Sequence, residues 1–154
     1  MKVLVFRMKK IEFTEVHKRL HQTIDSAKHA AENYRMRADA SKHQYERFLD
    51  DVANPICRML GQALRAEGYP FQVFSPAGGL RLVSEKSGED FVELFLHTGD
   101  ELELSVVIGR VSRTWGRRVV INEQPIREGA AIDQLTNEDV LDFMLKQIEP
   151  FVCR

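Results

Sequence analysis

FVELFLHTGDELELSVVIGRVSRTWGRRVVIN, Phe91 to Asn122, is the stretch whose reading decides the fold. Its apolar residues recur at every second position rather than every third or fourth, which is the spacing of a half-buried strand and not of a helix. FVELFLHT (91–98), LELSVVI (102–108) and RVVIN (118–122) therefore read as strands, parted by turn residues in TGDE and around TWGR. Val92, Leu94 and Leu96 alternate in step with Leu102, Leu104, Val106 and Ile108, which predicts one firmly apolar face. The opposite face is expected to hold Phe91, Phe95, Val107 and Val120. A sheet apolar on both faces needs two covers, so a helix or a second subunit is expected on each.

Working upstream, FQVFS (71–75) and LRLVSE (80–85) share the period of two, with SPAGG and KSGED as their turns. Five strands joined by short links predict an antiparallel meander, because parallel neighbours need long crossovers. Before Gly68 the period changes. From Phe13 to Val52 there is neither Gly nor Pro, which predicts one long helix. Phe13, His17, Leu20, Ile24, Ala27, Ala31, Tyr34, Ala38, Ser41, Tyr45, Phe48 and Val52 follow one another in alternating steps of four and three. That is a heptad repeat, the pattern that keeps one seam facing a partner helix. Its middle is small, with Ala27, Ala31, Ala38 and Ser41, so it allows close approach but buries little area. Asn54-Pro55 marks a boundary, with Asn54 as cap and a second helix over Pro55 to Glu67 ended by Gly68. The inner face of that helix is expected at Ile56, Met59, Leu60, Ala63 and Leu64.

Downstream, Thr136 stands as N-cap three residues before Asp139, an approximate capping box. The C-terminal helix that follows is expected to bury Val140, Leu141, Met144, Leu145 and Ile148, and to stop at Pro150.

The bulk numbers agree with a folded domain. Of 154 residues 44% are hydrophobic and 29% charged, and 22 Lys plus Arg against 23 Asp plus Glu leave a net charge of −1. Such a balance exerts no general pull toward nucleic acid or anionic membrane, so any such binding needs a local patch. Two cysteines, Cys57 and Cys153, form neither a zinc-knuckle nor a CxxC spacing, and a reducing, cytoplasmic compartment is expected. The N-terminal MKVLVFRMKK holds an apolar run of four residues, too short for a signal-peptide core or a membrane span.

Three segments carry chemistry worth weighing. His17, His21, Asp25 and His29 are spaced by four along the long helix. His17 and His21 are geometrically competent to share a metal, but a spacing of four drifts about 40° per step, so His17 and His29 lie about 120° apart and cannot share one ion. The ladder reads as the wet flank of the seam, with no metal site expected. The segment GRVSRTWGRRVV sets Arg110, Arg113, Arg117 and Arg118 around Trp115 on an expected hairpin loop. Guanidinium groups beside an indole suit phosphate and base stacking, and equally a hot spot in a protein interface. The plain alternative is a basic loop answering Glu89, Asp90, Glu93, Asp100, Glu101 and Glu103. Cys57 in a first helical turn is a conceivable thiolate, though its place beside Ile56 favours a buried structural thiol. The phosphate-loop, nucleophile-elbow, zinc-protease and EF-hand patterns are absent from the sequence.

The expected architecture is thus α+β within a single domain spanning 1–154. A helical part over 11–67 leads to an antiparallel sheet over 71–124, and a C-terminal helix over 136–150 packs on the sheet. The expected role is a non-enzymatic interaction or adaptor module, without cofactor, that forms a homodimer. Leu20, Ile24, Ala27, Ala31, Tyr34 and Ala38 of the seam, or the second sheet face, are its contact candidates. Nucleic-acid binding through the Arg-rich hairpin is the first alternative, and a small-molecule pocket between sheet and helices the second.

Overall fold

Alternation along the strands produces a five-stranded sheet in the order β1-β2-β3-β4-β5. The structure, a computed structural model, describes residues 10–76, 78–99 and 105–153. The strands are β1 Phe71–Phe74, β2 Gly79–Ser84, β3 Phe91–His97, β4 Val106–Trp115 and β5 Arg118–Pro125. Every neighbouring pair is antiparallel, so the sheet is a meander. The helices are α1 Phe13–Phe48, α2 Asn54–Ala66 and α3 Asn137–Val152. The α+β layout expected from the periodicities is therefore present. The expected strand residues Leu102 and Leu104, and the N-terminal apolar run, lie outside the described residues.

Register sets which side chains share a face, and here the structure corrects the sequence reading. Leu96 stands opposite Val107 and Phe95 opposite Ile108. Opposed residues point to the same side of an antiparallel sheet, and a slip of one residue flips every side chain. Val107 therefore joins Val92 and Leu94 in the core, where it is buried. Val120 also lies on this inner side, opposite Arg113. The residues that accompany Phe91 and Phe95 on the outer side are Val106, Ile108, Val119 and Ile121.

The inner side carries the core. Phe71, Leu80, Leu82, Val92, Leu94, Val107 and Val111 pack with Cys57, Leu60 and Leu64 of α2 and with Val140, Phe143, Met144, Ile148 and Phe151 of α3. Tyr45 and Phe48, at the C-terminal end of α1, complete it, and Tyr45 Oη donates to the Leu94 carbonyl at 3.2 Å. Arg65 and Gln72 both donate to Glu85, tying α2 to β1 and β2. Two units divide the chain inside α1, Met1–Arg37 and Ala38–Arg154. Every described residue of the first unit except Tyr34 is exposed, and Tyr34 is half-buried.

Four local expectations change. Asn54-Pro55 is not a helix boundary: Asn54 itself has helical dihedrals, and the turn Leu49–Ala53 is π-helical and leads directly into α2. Proline lacks an N–H and its ring crowds the carbonyl four residues earlier, here Asp51; a wider turn relieves that crowding without ending the helix. The buried stripe of α2 is Cys57, Leu60, Gly61 and Leu64, while Met59 is exposed. Pro150 does not stop α3, which runs to Val152 because Phe151 is buried and meets the Phe71 ring edge-on at 6.0 Å. Phe143 takes the core position assigned to Leu141 and Leu145, both of which are exposed.

The segment read as an Arg-rich loop is mostly strand. β4 runs through Gly109 to Trp115, and Trp115 pairs with Arg118. Only Gly116 and Arg117 form the turn, with Gly116 at φ +63° and no other residue type at positive φ among the described residues. That combination is the glycine-first type II′ hairpin. Gly109 is a strand residue because Phe143 lies against it: a Cβ there would stand 2.1 Å from Phe143 Cζ.

Candidate self-association surfaces

The first surface is the heptad seam of α1. Its C-terminal members Tyr45 and Phe48 are buried, Ser41 and Ala38 are half-buried, and so is Tyr34. Farther toward the N-terminus the same stripe lies in water: Ala31, Ala27, Ile24 and Leu20 are all exposed. Phe13 and Val16 extend it, and Phe13 is 80% exposed. Arg19 bonds Glu15 at 3.1 Å and His29 meets Asp25 at 3.7 Å, both at a spacing of four. His17 and His21 are exposed, with the His17 ring 6.1 Å from that of Phe13. Among the described residues no three His, Cys, Asp or Glu gather into a group able to hold a metal ion.

The second surface is the outer side of the sheet, and its centre is ionic as well as aromatic. Arg81, Glu93, Arg110 and Glu123 stand directly opposite one another across β2, β3, β4 and β5. Arg81 Nη2 meets Glu93 Oε2 at 3.1 Å, Arg110 Nη1 meets the same oxygen at 3.6 Å, and Arg110 Nε meets Glu123 Oε1 at 2.7 Å. Opposite charges in facing positions hold neighbouring strands in register. The two guanidinium groups also cover aromatic rings, Arg81 over Phe91 at 4.1 Å and Arg110 over Phe95 at 4.6 Å. Phe91 and Phe95 are thereby half-buried under cations rather than presented to a partner. The apolar area that remains in water lies at the two edges, with Phe74 of β1 51% exposed, and Val119 and Ile121 of β5 43% and 57% exposed.

The third surface is the β4–β5 hairpin, and the structure separates its arginines. Arg110 belongs to the ionic row. Arg113 lies on the inner side, half-buried, with its guanidinium 5.7 Å from the Trp115 ring and its Nε buried without a hydrogen-bond partner among the described residues. Arg117, Arg118 and Trp115 are exposed at the tip, Trp115 at 69%. Asp90, one of the acids considered as a partner for the loop, is buried instead: its Oδ1 accepts from Thr114 N and Oγ1, both at 2.7 Å.

Glu93 is the site residue that sequence reasoning undervalued. A carboxylate between Val92 and Leu94 in an apolar strand is a signal, because a buried charge needs partners. The partners had to come from strands 12 residues before and 17 after it, and only the register reveals them.

The remaining chemistry is quiet. Burial pushes the Cys57 thiol up to about 12, which favours its protonated form at neutral pH. A groove of about 320 Å³ lies between α2 and β1, lined by Arg58, Gly61, Gln62, Arg65, Phe71 and Val73. No described helix is long and apolar enough to cross a membrane. Compared with protein families, curated proteins and solved structures, the chain matches none.

Proposed function

We propose that this chain is a non-enzymatic interaction module that associates with itself through the α1 seam. One observation carries the reading. A single stripe, with unchanged steps of three and four, supplies core residues at Tyr45 and Phe48 and is solvent-exposed at Leu20 and Ile24. Burying a side chain such as Leu or Ile stabilises by about 1.5–3 kcal/mol, so Phe13, Val16, Leu20 and Ile24 represent a substantial driving force left unused in the isolated chain. A heptad seam is covered best by another heptad seam, because its knobs fit the holes of a helix with the same repeat. The alanines Ala27 and Ala31 let two such helices approach closely.

The test is the mass in solution, by light scattering across a dilution series, of the natural chain and of a Leu20→Glu, Ile24→Glu variant. Both positions are exposed in the single chain, so the variant keeps its fold while placing like charges in the seam. The natural chain is expected to self-associate, and the variant to lose that contact with unchanged circular dichroism. Equal masses at every concentration would end this reading.

A further inference from the structure

The two edges of the sheet are not alike. β1 is four residues long and sits between Pro70 and Pro76, a short edge flanked by residues that cannot donate to a ladder. β5 has eight residues, in unbroken register with β4 from Arg118 to Pro125, without a bulge, a lysine or an internal proline before its last residue. No described strand pairs with its far side.

Hydrogen-bond phase shows which groups that far side offers. Ile126 N donates to Val107 O, continuing the β4–β5 ladder. In an antiparallel pair alternate residues bond to the same neighbour, so Arg118, Val120, Asn122 and Gln124 face β4. The N–H and C=O groups of Val119, Ile121 and Glu123 consequently point away from the sheet. Their side chains lie on the outer side, where Val119 and Ile121 are exposed apolar residues beside this edge.

We infer that β5 is a docking edge for β5 of a second copy, antiparallel, with the two-fold axis at Ile121. A two-fold normal to the sheet pairs residues of the same parity, and only a centre at Ile121 engages all three outward residues: Ile121 faces Ile121, and Val119 faces Glu123 on both sides. Six backbone hydrogen bonds result. Charge selects the same arrangement. β5 begins beside Arg117 and Arg118 and ends near Glu123, so antiparallel pairing with itself brings each basic start to an acidic finish. Glu123, which also meets Arg110, faces Val119 of the other copy, just past the turn that carries Arg117. No like charges face each other in this register, since Arg118 meets Gln124. This surface shares no residue with the α1 seam, and two self-complementary interfaces that engage different copies build assemblies larger than a dimer.

The experiment combines both surfaces. Ile121→Pro removes only an outward N–H, the position at which an edge strand tolerates proline. The natural chain is expected to exceed dimer mass at high concentration. Leu20→Glu with Ile24→Glu, or Ile121→Pro alone, is expected to leave a dimer, and all three together a monomer. Crosslinking supplies the second measurement, in a Cys153→Ser background because Cys153 is exposed. Ile121→Cys should form a disulfide with its own copy, the facing Cα atoms being about 5.5 Å apart, whereas Asn122→Cys, about 8 Å from its counterpart, should not. If Ile121→Pro changes the mass in no background, or the two cysteine variants crosslink alike, the edge is not the interface. A mass drop caused by the seam variant alone would then retain the seam. A dimer that only Ile121→Pro dissolves would retain the edge and remove the seam.

Discussion

Phe143 rests its ring against the backbone of β4, and Gly109 is what permits it. An alanine Cβ at 109 would stand 2.1 Å from Phe143 Cζ and 2.5 Å from Cε1, far inside contact distance. Overpacking of this kind costs about 1–3 kcal/mol. Gly109→Ala is therefore expected to lower stability by that amount in denaturant titration, and Phe143→Leu in the same chain should return part of it. Simple addition of the two single costs would mean the ring is not the obstruction. Glu93 shows the complementary case, a residue whose burial depends on others. Its carboxylate is tolerable between apolar neighbours because Arg81 and Arg110 converge on one oxygen.

At the scale of elements, the sequence carried what is periodic and local, and missed what is relational. Period-two alternation placed strands at 71–75, 80–85, 91–98 and 118–122, and the absence of Gly and Pro placed the long helix. Which face each strand residue occupies was not legible, because Val106, Val107 and Ile108 are three apolar residues in a row and admit either parity. Pairing of Leu96 with Val107 decides it, and pairing is a property of two segments. Gly109 looked like the end of a strand for a similar reason: the ring that requires it belongs to α3. The π turn at Leu49–Ala53 was hidden by Asn54-Pro55, a sequence that caps helices elsewhere. The start of α3 was legible, because a capping box is local. Thr136 N donates to Asp139 Oδ2 at 2.9 Å, and Asp139 N donates to Thr136 Oγ1 at 3.2 Å. The first of these bonds, helped by the Thr136 hydroxyl and by Arg127, holds the Asp139 carboxyl below its ordinary range. A carboxyl with a depressed folded value contributes stability that is present at neutral pH and lost as pH falls through that value. Thr136→Ala is expected to cost about 1 kcal/mol at pH 7 in thermal melts. Asp139→Asn, which leaves the Thr136 cap in place, is expected to lose stability at pH 7 and to lose less in acid; a loss that stayed constant to pH 2 would remove the Asp139 charge from the account.

Considered whole, the molecule divides its apolar surface unevenly. One side of the sheet packs against helices, the other has arginines over Phe91 and Phe95, and the apolar residues in water include the α1 stripe, Met59, Phe74, Leu145 and, along β5, Val119 and Ile121. The outer phenylalanines drop out as contact candidates once their cations are seen, and Val107 and Val120 drop out with the register. The hairpin keeps only Trp115, Arg117 and Arg118 as an exposed cluster, which is a small footprint for a charged polymer. The proposed self-association uses the exposed seam residues Leu20, Ile24, Ala27 and Ala31, and the β5 edge with Val119 and Ile121.

The side of β5 that no described strand pairs has a consequence for how the chain is made. It is the last strand of the meander and no described strand covers that side, and backbone groups recognise any extended neighbour whether or not that neighbour has finished folding. Crowded newborn chains would compete with correct maturation at this one seam of backbone. The yield of native protein on refolding should therefore decline as concentration rises, and Ile121→Pro should flatten that decline. How much of the chain a cell makes at once then becomes part of how well each copy folds.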